Sequence, residues 1–394
     1  MSSHSQSSIS ALLPIIDAQH QDFVAELAAL VNIDSGSFTA SGVNRVVDRC
    51  ETLFRAGGWE VERKRHSPAA GEAQLGDLIV GRLKGSGRRR ILLCGHTDTV
   101  FDEGTAAKRP FRVNGNRAFG PGVSDMKAGL LTGLRAVAAL VQAGYRQFGE
   151  IVFLCNPDEE IGSPFSTPTI RELAENAHAV LVLEGANANG DVITARKGIT
   201  EYRLTINGRA AHAGVEPDRG RSAIVEAAHK ILALLALGRR WPGVTVNVGT
   251  VNGGTRTNVV PASCTVALEA RSPRQRDLME VEAEIERLAR CHTVPDVSVA
   301  VGVKRGHRPM ERSPNNGWLA LAAQEVGAKL GLKPGEASTG GASDANTTAA
   351  MGVPTLDGLG PIGGGEHGPD EWLNLDSVAL RVAILAGLVI QIEE

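Results

Sequence analysis

Short apolar runs alternate with helical patterns in the first half of the chain. Residues 91–94, 151–154 and 179–183 are almost wholly apolar, which is typical of strands buried on both faces of a sheet. Residues 128–141, between the first two runs, carry the pattern of a helix. This alternation of strands and helices predicts an α/β fold with a mostly parallel sheet.

From residue 198 to residue 307 the order of elements changes to strand, helix, strand, strand, helix, strand. The segments are 200–206, 223–237, 244–251, 264–270, 278–291 and 297–303. This βαββαβ order is that of ferredoxin-like domains. We therefore expect a second domain in the middle of the chain.

After this module the α/β pattern returns, with helices at 319–330 and 377–392 and an apolar run at 353–359. A chain of 394 residues is also long for one compact domain. We predict a discontinuous domain, residues 1–197 and 308–394, into which residues 198–307 are inserted.

Charge and aromatic content exclude some classes of ligand. The net charge of −3 comes from 41 basic and 44 acidic residues that are mixed along the chain, so the sequence has no basic patch for nucleic acid or a membrane surface. Aromatic residues are only 4%, too few for base-stacking platforms. We expect a small-molecule ligand, with no nucleic acid or membrane partner.

The cysteines and the N-terminus indicate the compartment. The five cysteines show no CxxC pairing, and we expect reduced, buried thiols. The first 16 residues contain no basic segment followed by a sustained apolar stretch, so neither a secretion signal nor an anchor is expected. The predicted location is the cytoplasm.

Metal-capable side chains come at four predicted strand ends and in one glycine-rich loop near the C-terminus. They are His96 and Asp98 in GHTDT, Asp125 in GPGVSDMK, Glu159 and Glu160 in NPDEE, Glu184 after the strand 179–183, and His367 in GGGEH. Singly, each has an ordinary alternative: a turn histidine with a capping aspartate, a helix N-cap, or a solvated acidic loop. Because parallel strands end at one edge of a sheet, we expect these side chains to converge on a metal site, one that suits zinc and, with a bridging carboxylate, a pair of metal ions ~3.5–4 Å apart.

These residues, in this order, resemble the co-catalytic zinc exopeptidase family of glutamate carboxypeptidase, aminoacylase, acetylornithine deacetylase and succinyl-diaminopimelate desuccinylase. The resemblance covers nearly the whole chain and is strongest to bacterial glutamate carboxypeptidase. It implies two Zn²⁺ per chain, with Co²⁺ or Mn²⁺ as alternatives, and makes the inserted module a lid and dimerisation domain.

The resemblance also implies a role for each residue of the site. His96 and Glu184 would hold one zinc, Glu160 and His367 the other, and Asp125 would bridge them. Asp98 would orient His96, Glu159 would be the general base, and the peptide bond Asp125–Met126 would be cis.

The histidine in AHAG, His212, resembles the lid histidine that reaches the active site of a partner subunit and stabilises the tetrahedral oxyanion. The alternative is an ordinary loop or core histidine. The catalytic role requires a homodimer formed through the lid domain.

Four residues are candidates for holding the substrate: Arg308, Arg271, Asn258 and Gly341. An arginine offers a bidentate fork to a carboxylate, although a surface ion pair would use the same groups, and Asn258 could equally be a turn residue. Arg308 resembles the substrate-carboxylate arginine of glutamate carboxypeptidases, but the short segment RGHRP leaves open whether Arg305 or Arg308 has that role.

The sequence therefore predicts a zinc-dependent amide hydrolase that releases a C-terminal amino acid, glutamate above all, from N-acyl or peptidyl substrates such as folates. The alternative enzyme is an aminoacylase or N-acyl amino acid deacetylase with the same metal site. A non-catalytic binding protein is disfavoured because the base and all five ligands are present. A serine hydrolase is disfavoured because the sequence has no GxSxG elbow.

Overall fold

The computed structural model describes the backbone of residues 3–393, and their side chains except those of residues 3–8, 10, 304 and 305. The described helices are α1 (Ser3–Ala18), α2 (His20–Val31), α3 (Ala40–Ala56), α4 (Thr105–Lys108), α5 (Ala128–Gln142), α6 (Thr167–Glu175), α7 (Ala223–Leu237), α8 (Gln275–Arg290), α9 (Pro314–Lys329), α10 (Asp344–Ala350) and α11 (Val378–Glu393). The described strands are β1 (Glu60–Lys64), β2 (Leu78–Lys84), β3 (Arg90–His96), β4 (Arg112–Asn114), β5 (Arg117–Phe119), β6 (Glu150–Asn156), β7 (Ala179–Val182), β8 (Val192–Arg196), β9 (Gly198–Asn207), β10 (Thr245–Gly253), β11 (Ser263–Ser272), β12 (Ser298–His307), β13 (Glu336–Thr339), β14 (Thr355–Leu356), β15 (Gly363–Gly364) and β16 (Trp372–Asn374).

The chain forms two compact units. The first, which we call the α/β unit, comprises Met1–Thr194, Arg312–Ser338 and Ser343–Glu394. The second, the inserted unit, comprises Ala195–Glu311 and Thr339–Ala342. The sequence assigned residues 339–342 to the other domain, but their carbonyls are tied to the inserted unit: the Lys197 N–H donates to the Thr339 oxygen at 3.1 Å, and Arg271 donates to the Gly340 oxygen at 2.9 Å.

The α/β unit is built on a six-stranded sheet with the order β1-β2-β6-β3-β7-β14. Strands β6, β3, β7 and β14 are parallel, whereas β1 and β2 are antiparallel additions at one edge. The register pairs His96 with Asn156, so that β3 and β6 end level with each other. The prediction of an α/β fold with a mostly parallel sheet is confirmed.

Helix α11 lies in the core of this unit. The segment Leu375–Glu393 is long and apolar enough to cross a membrane by length and composition alone, yet 78% of its apolar window is buried inside the protein. Its side chains share one core with those of α5 and β3, among them Leu130 and Leu93. The apolar character of the segment is therefore accounted for by packing.

Two features of the α/β unit differ from the sequence pattern. The run at 353–359 forms a strand of only two residues, β14, because Asp357 leaves the sheet and pairs with Ile193. A small antiparallel sheet with the order β15-β16-β5-β4 was not predicted, since strands of two or three residues are too short to show a period. This sheet carries the loop that contains His367.

The inserted unit has the predicted βαββαβ order, β9-α7-β10-β11-α8-β12, with the strands arranged as β10-β11-β9-β12 and all pairs antiparallel. Every second residue of β11 is buried, as expected for a sheet covered on one face. Val266 of β11, Leu234 of α7 and Ile285 of α8 belong to one core. Strand β10 forms an edge of the sheet.

The cysteines of the described chain are free, and four of the five are buried. The expectation of burial is wrong for Cys291, which is exposed. It follows the last residue of α8 as the C-cap, where the chain turns away from the core.

Candidate metal centre

The predicted metal-capable residues meet at the carboxyl ends of the parallel strands of the α/β unit. His96 is the last residue of β3, and Glu184 follows the end of β7. Glu159 and Glu160 lie in the single helical turn Glu159–Ile161 after β6. As expected from their positions at strand ends, residues that follow three neighbouring strands lie together.

Asp125 lies between the two histidines. Its Oδ1 is 3.0 Å from His96 Nε2, and its Oδ2 is 3.2 Å from His367 Nε2. The residue has φ −112° and ψ 92°, and α5 begins only at Ala128, so Asp125 does not act as a helix N-cap. Its two oxygens therefore have the disposition of a bridging carboxylate, and the Asp125–Met126 peptide bond is cis as expected.

Each histidine has a second carboxylate beside it. His96 Nε2 is 3.7 Å from Glu184 Oε1, and His367 Nε2 is 3.3 Å from Glu160 Oε2. Ligand atoms around one tetrahedral zinc ion, at bond lengths of ~2.0–2.1 Å, stand roughly 3.3–3.4 Å apart. The spacing and the mixed nitrogen and oxygen donors therefore fit two divalent ions that share Asp125.

Asp98 holds His96 and the acidic turn together. The Nδ1 atom of His96 lies 3.0 Å from the Asp98 carbonyl oxygen and 3.3 Å from its Oδ1, which leaves Nε2 to face Asp125. The Asp98 carboxylate also accepts the backbone N–H groups of Glu159 and Glu160, both at 3.2 Å, and the Ser37 hydroxyl at 2.7 Å. Through its carbonyl and its buried carboxylate, Asp98 thus orients His96 and fixes the position of the turn.

The three adjacent carboxylates of the acidic turn point in different directions. Asp158 turns inward and accepts the N–H of Phe165 at 2.6 Å, and burial raises the pKa of Asp158 to about 7. Glu160 faces His367, while Glu159 lies close to His96 and Glu184. Burial, together with the neighbouring carboxylates, raises the pKa of Glu159 well above its ordinary value. Because the three side chains point apart, the repulsion between these adjacent carboxylates is reduced.

The histidines compensate the negative charge of the site. Hydrogen bonds to Asp125 and Glu160 raise the pKa of His367 to about 10. Burial opposes a charge on His96, but its bonds to Asp125 and Asp98 outweigh it and raise the pKa of His96. Burial would raise the pKa of Asp125, yet its bonds to His367 and His96 lower it instead. A cluster of carboxylates that stabilises positive charge on two histidines is also suited to metal cations.

Residues 92–391 match the family described as peptidase family M20/M25/M40. The chain belongs to this family. It is 33% identical over 375 residues to carboxypeptidase G2 from Pseudomonas sp. (strain RS-16), covering 94% of this chain and 89% of that protein. It is 28% identical over 326 residues to succinyl-diaminopimelate desuccinylase from Xanthomonas oryzae pv. oryzae, covering 77% and 84% of the two chains.

The fold of this M20 chain is also similar to solved structures. A tripeptidase from Staphylococcus aureus has a TM-score of 0.79 and 23% sequence identity, covering 95% of this chain and 98% of that one. The predicted resemblance is therefore confirmed, and the protein is a hydrolase of the M20 metallopeptidase family.

Glu371 is a site residue of this M20 peptidase that the sequence did not indicate. Its carboxylate accepts three backbone N–H groups, from Gly122 at 2.8 Å, Ser124 at 2.8 Å and Asp125 at 3.0 Å, and the residue is only 1% exposed. Burial raises the pKa of Glu371 to about 7, although these three donors oppose the rise. Glu371 follows His367 by four positions. The sequence around it does not show that its carboxylate binds backbone N–H groups of a distant turn.

Asp344 was missed for a similar reason. It begins α10, and its buried carboxylate accepts hydrogen bonds from Asn156, from the Ser163 hydroxyl at 2.5 Å and from the Cys94 thiol at 3.6 Å. Cys94 lies two residues before His96 in β3 and Asn156 is the last residue of β6, so Asp344 joins the two strands near the ends that carry the predicted metal ligands.

The remaining predicted site residues belong to the inserted unit. His212 is exposed, pairs with Val259 and accepts the Gly214 N–H at 3.2 Å. Asn258 is exposed in the loop after β10, and its carbonyl accepts the Ala213 N–H at 3.0 Å. Their proposed roles toward substrate remain predictions.

The two arginine candidates both form ion pairs within this unit. Arg271 bonds Glu269 at 2.8 and 3.1 Å as well as the Gly340 carbonyl, and Arg308 bonds Glu282 at 3.1 and 3.2 Å. The Gly341 carbonyl accepts a bond from Arg196 at 3.3 Å. The side chain of Arg305, the alternative to Arg308, lies outside the described residues.

Proposed function

We propose that this M20 peptidase is a dizinc carboxypeptidase that releases a C-terminal amino acid, foremost glutamate, from N-acyl or peptidyl substrates such as folates. The observation that carries the proposal is the carboxylate of Asp125 between His96 and His367, with Glu159 beside them. The 33% identity to carboxypeptidase G2 over 375 residues supports this substrate class. The cytoplasm is the proposed location.

The metal ligands are assigned in two groups that share one residue. His96 and Glu184 would hold one ion, Glu160 and His367 the other, and Asp125 both. Bound there, zinc ions would polarise the scissile carbonyl and lower the pKa of a water molecule.

Glu159 is the general base of the proposed reaction. As the water oxygen bonds to the carbonyl carbon, the Glu159 carboxylate takes a proton from the water. When the C–N bond breaks, Glu159 gives this proton to the leaving amine nitrogen, so the carboxylate is regenerated. Burial and the neighbouring carboxylates Glu184 and Glu160 stabilise the protonated form of Glu159, so it can keep this proton until the C–N bond breaks.

A homodimer formed through the inserted unit is part of the proposal. Strand β10 is a sheet edge, and an edge strand offers unpaired backbone groups to a second copy of the same strand. Beside it, α7 exposes apolar side chains: Val225 is 47% exposed, Leu232 71% and Leu235 43%. Apolar surface of this kind supports a protein interface, through which His212 would serve the partner's active site.

The second candidate is a deacylase that removes a short acyl group from an amino acid. Its support is the 28% identity to succinyl-diaminopimelate desuccinylase and the 27% identity over 260 residues to acetylornithine deacetylase from Myxococcus xanthus. Both candidates use the same metal centre and differ in the part of the substrate that is recognised.

The test measures free glutamate released from folate and from N-acetylglutamate, with chelator and with added zinc. Chelator-sensitive release from folate supports the carboxypeptidase, whereas release from N-acetylglutamate alone favours the deacylase. No release from either, with two metal ions bound per chain, would overturn the glutamate carboxypeptidase and leave the deacylase, acting on another amino acid, as the candidate. Glu159→Gln is the control variant, and we expect it to retain the metal ions and to lose turnover.

A further inference from the structure

A pocket of the α/β unit lies beside the loop that carries His367. It has a volume of 310 Å³, and its lining includes Lys108, Arg109, Arg112, Pro369 and Asp370. Pro369 follows His367 by two positions in the chain, so the pocket adjoins one of the two metal-binding positions.

The pocket carries an excess of positive charge. Three cations line it against one carboxylate, that of Asp370. Within the part of the chain that the structure describes, no carboxylate lies within ion-pair distance of Lys108, Arg109 or Arg112. Arg312 of the same unit, by comparison, forms an ion pair with Glu336 at 2.8 Å. Unpaired cations around a cavity attract an anion.

The two arginines are held in fixed orientations. The guanidinium of Arg112 lies over the Phe119 ring at 4.0 Å, and that of Arg109 over the Phe101 ring at 4.7 Å. Arg109 also donates to the Gly368 carbonyl at 3.0 Å. A guanidinium stacked by its face keeps its N–H edge available for a planar anion, and prior ordering lowers the entropy cost of binding.

We propose that this pocket binds a carboxylate carried by the acyl part of the substrate, away from the scissile amide. The inference rests on the proposed amide hydrolysis and deepens it, because it adds a second anionic group to the preferred substrate. Acyl groups that end in a carboxylate would be bound by Lys108 and Arg112, while neutral acyl groups of equal length would leave these cations unpaired.

The experiment compares N-glutaryl-glutamate with N-pentanoyl-glutamate, which has a methyl group where the first has a carboxylate. We expect the wild-type enzyme to prefer the glutaryl substrate in kcat/KM by roughly tenfold or more, the effect of a charge-assisted hydrogen bond. Lys108→Met and Arg112→Met should abolish the preference, and Arg112→Lys should restore part of it.

Arg117→Met is the matched control. Arg117 is stacked on Trp372 at 4.0 Å, the same distance as Arg112 from Phe119, in the same small sheet but outside the pocket lining. Its variant should keep the preference. Equal rates on both substrates for the wild type, or a preference that survives in Arg112→Met, would refute the proposal while leaving the hydrolase assignment intact.

A direct measurement separates failure of this proposal from failure of the proposed reaction. Glutarate binding to the metal-loaded enzyme is followed by calorimetry for the wild type, Arg112→Met and Arg117→Met. If neither substrate is cleaved but binding falls tenfold in Arg112→Met alone, the anion site stands without the proposed reaction. Equal binding by all three proteins refutes the site.

Discussion

Glu371 accepts the backbone N–H of Asp125 at 3.0 Å, so a buried carboxylate from the end of the chain fixes the residue that lies between the two histidines. The same carboxylate binds the N–H groups of Gly122 and Ser124. Glu371 reaches the turn because β16 pairs with β5, which leads into it. The geometry of the metal centre therefore depends on a residue that is not one of its ligands.

We expect Glu371→Gln to weaken metal binding. A glutamine directs an NH₂ group at backbone donors that need acceptors, so the turn around Asp125 should loosen. Loss of a residue that supports a ligand commonly costs ~10–100-fold in metal affinity or activity. Zinc affinity measured by competition with a chelator checks this, with Glu226→Gln as the control. Unchanged zinc affinity in Glu371→Gln would contradict the role.

Glu226 is a suitable control because it is also fully buried and also accepts backbone N–H groups, from Val294 at 2.7 Å and Thr293 at 2.9 Å, within the inserted unit. Burial would raise its pKa, but these donors and the Lys230 ammonium lower the pKa of Glu226 below its ordinary 4.5. The folded protein therefore binds fewer protons here than the unfolded chain.

From this sign we predict how stability changes with pH. The stabilisation by Glu226 is complete above the unfolded pKa and is lost as the pH falls through the folded pKa. Glu226→Gln should lower the free energy of unfolding by ~1–3 kcal/mol at neutral pH, and by less below about pH 4. Denaturant unfolding at both pH values checks this. If the loss of unfolding free energy in Glu226→Gln were larger at acidic pH than at neutral pH, the predicted direction of the pKa shift would be wrong.

Arg308→Ala should raise KM for substrates that end in glutamate. If Arg308 leaves Glu282 to bind the substrate carboxylate, its loss removes a charge-assisted bond and should raise KM by roughly 10–100-fold, with a smaller change in kcat. Steady-state kinetics of Arg308→Ala and Arg305→Ala on one substrate measure the difference. A larger effect of Arg305→Ala would assign the role to that residue instead.

Leu232→Glu should give an inactive monomer. Leu232 is 71% exposed on α7, and a charge there would oppose burial against a second copy. Leu321→Glu is the matched control, since Leu321 is 55% exposed on α9 of the α/β unit. Sedimentation velocity and glutamate release are measured together. A Leu232→Glu protein that stays dimeric, or that is active as a monomer, would contradict the proposed interface.

The parts of the fold that could be predicted are those with long periodic patterns. Helix α7 begins and ends where the sequence indicated, and the core strands β3 and β6 extend their predicted runs by a few residues. The strand-end rule then placed His96, Glu184 and Glu160 together, because their strands are parallel neighbours. His367 lies in a loop without periodicity: the sequence marked it as a metal-capable histidine in a glycine-rich segment, and the family resemblance gave it the role of a ligand.

Other features could not be read from the sequence for physical reasons. Glu371 accepts backbone N–H groups, and Asp344 accepts hydrogen bonds from side chains of β3 and β6. Both sets of partners are distant in the chain, and the residues next to Glu371 and Asp344 in sequence do not indicate them. The small sheet around β16 has strands too short for a pattern. Arg271 pairs with Glu269, two residues away on the same strand. The sequence does not show whether an arginine binds such a neighbour or a substrate carboxylate.

The proposed ligands of the metal centre come from both sides of the inserted unit in the chain, with His96 to Glu184 before it and His367 after it. During synthesis on the ribosome, a nascent chain that has not reached His367 and Glu371 lacks one histidine and the carboxylate that fixes Asp125. Such a chain cannot assemble the paired site, so hydrolytic activity would appear only after the last segment has joined the sheet. The order of these residues thus ties hydrolytic activity to a chain that has been synthesised beyond Glu371.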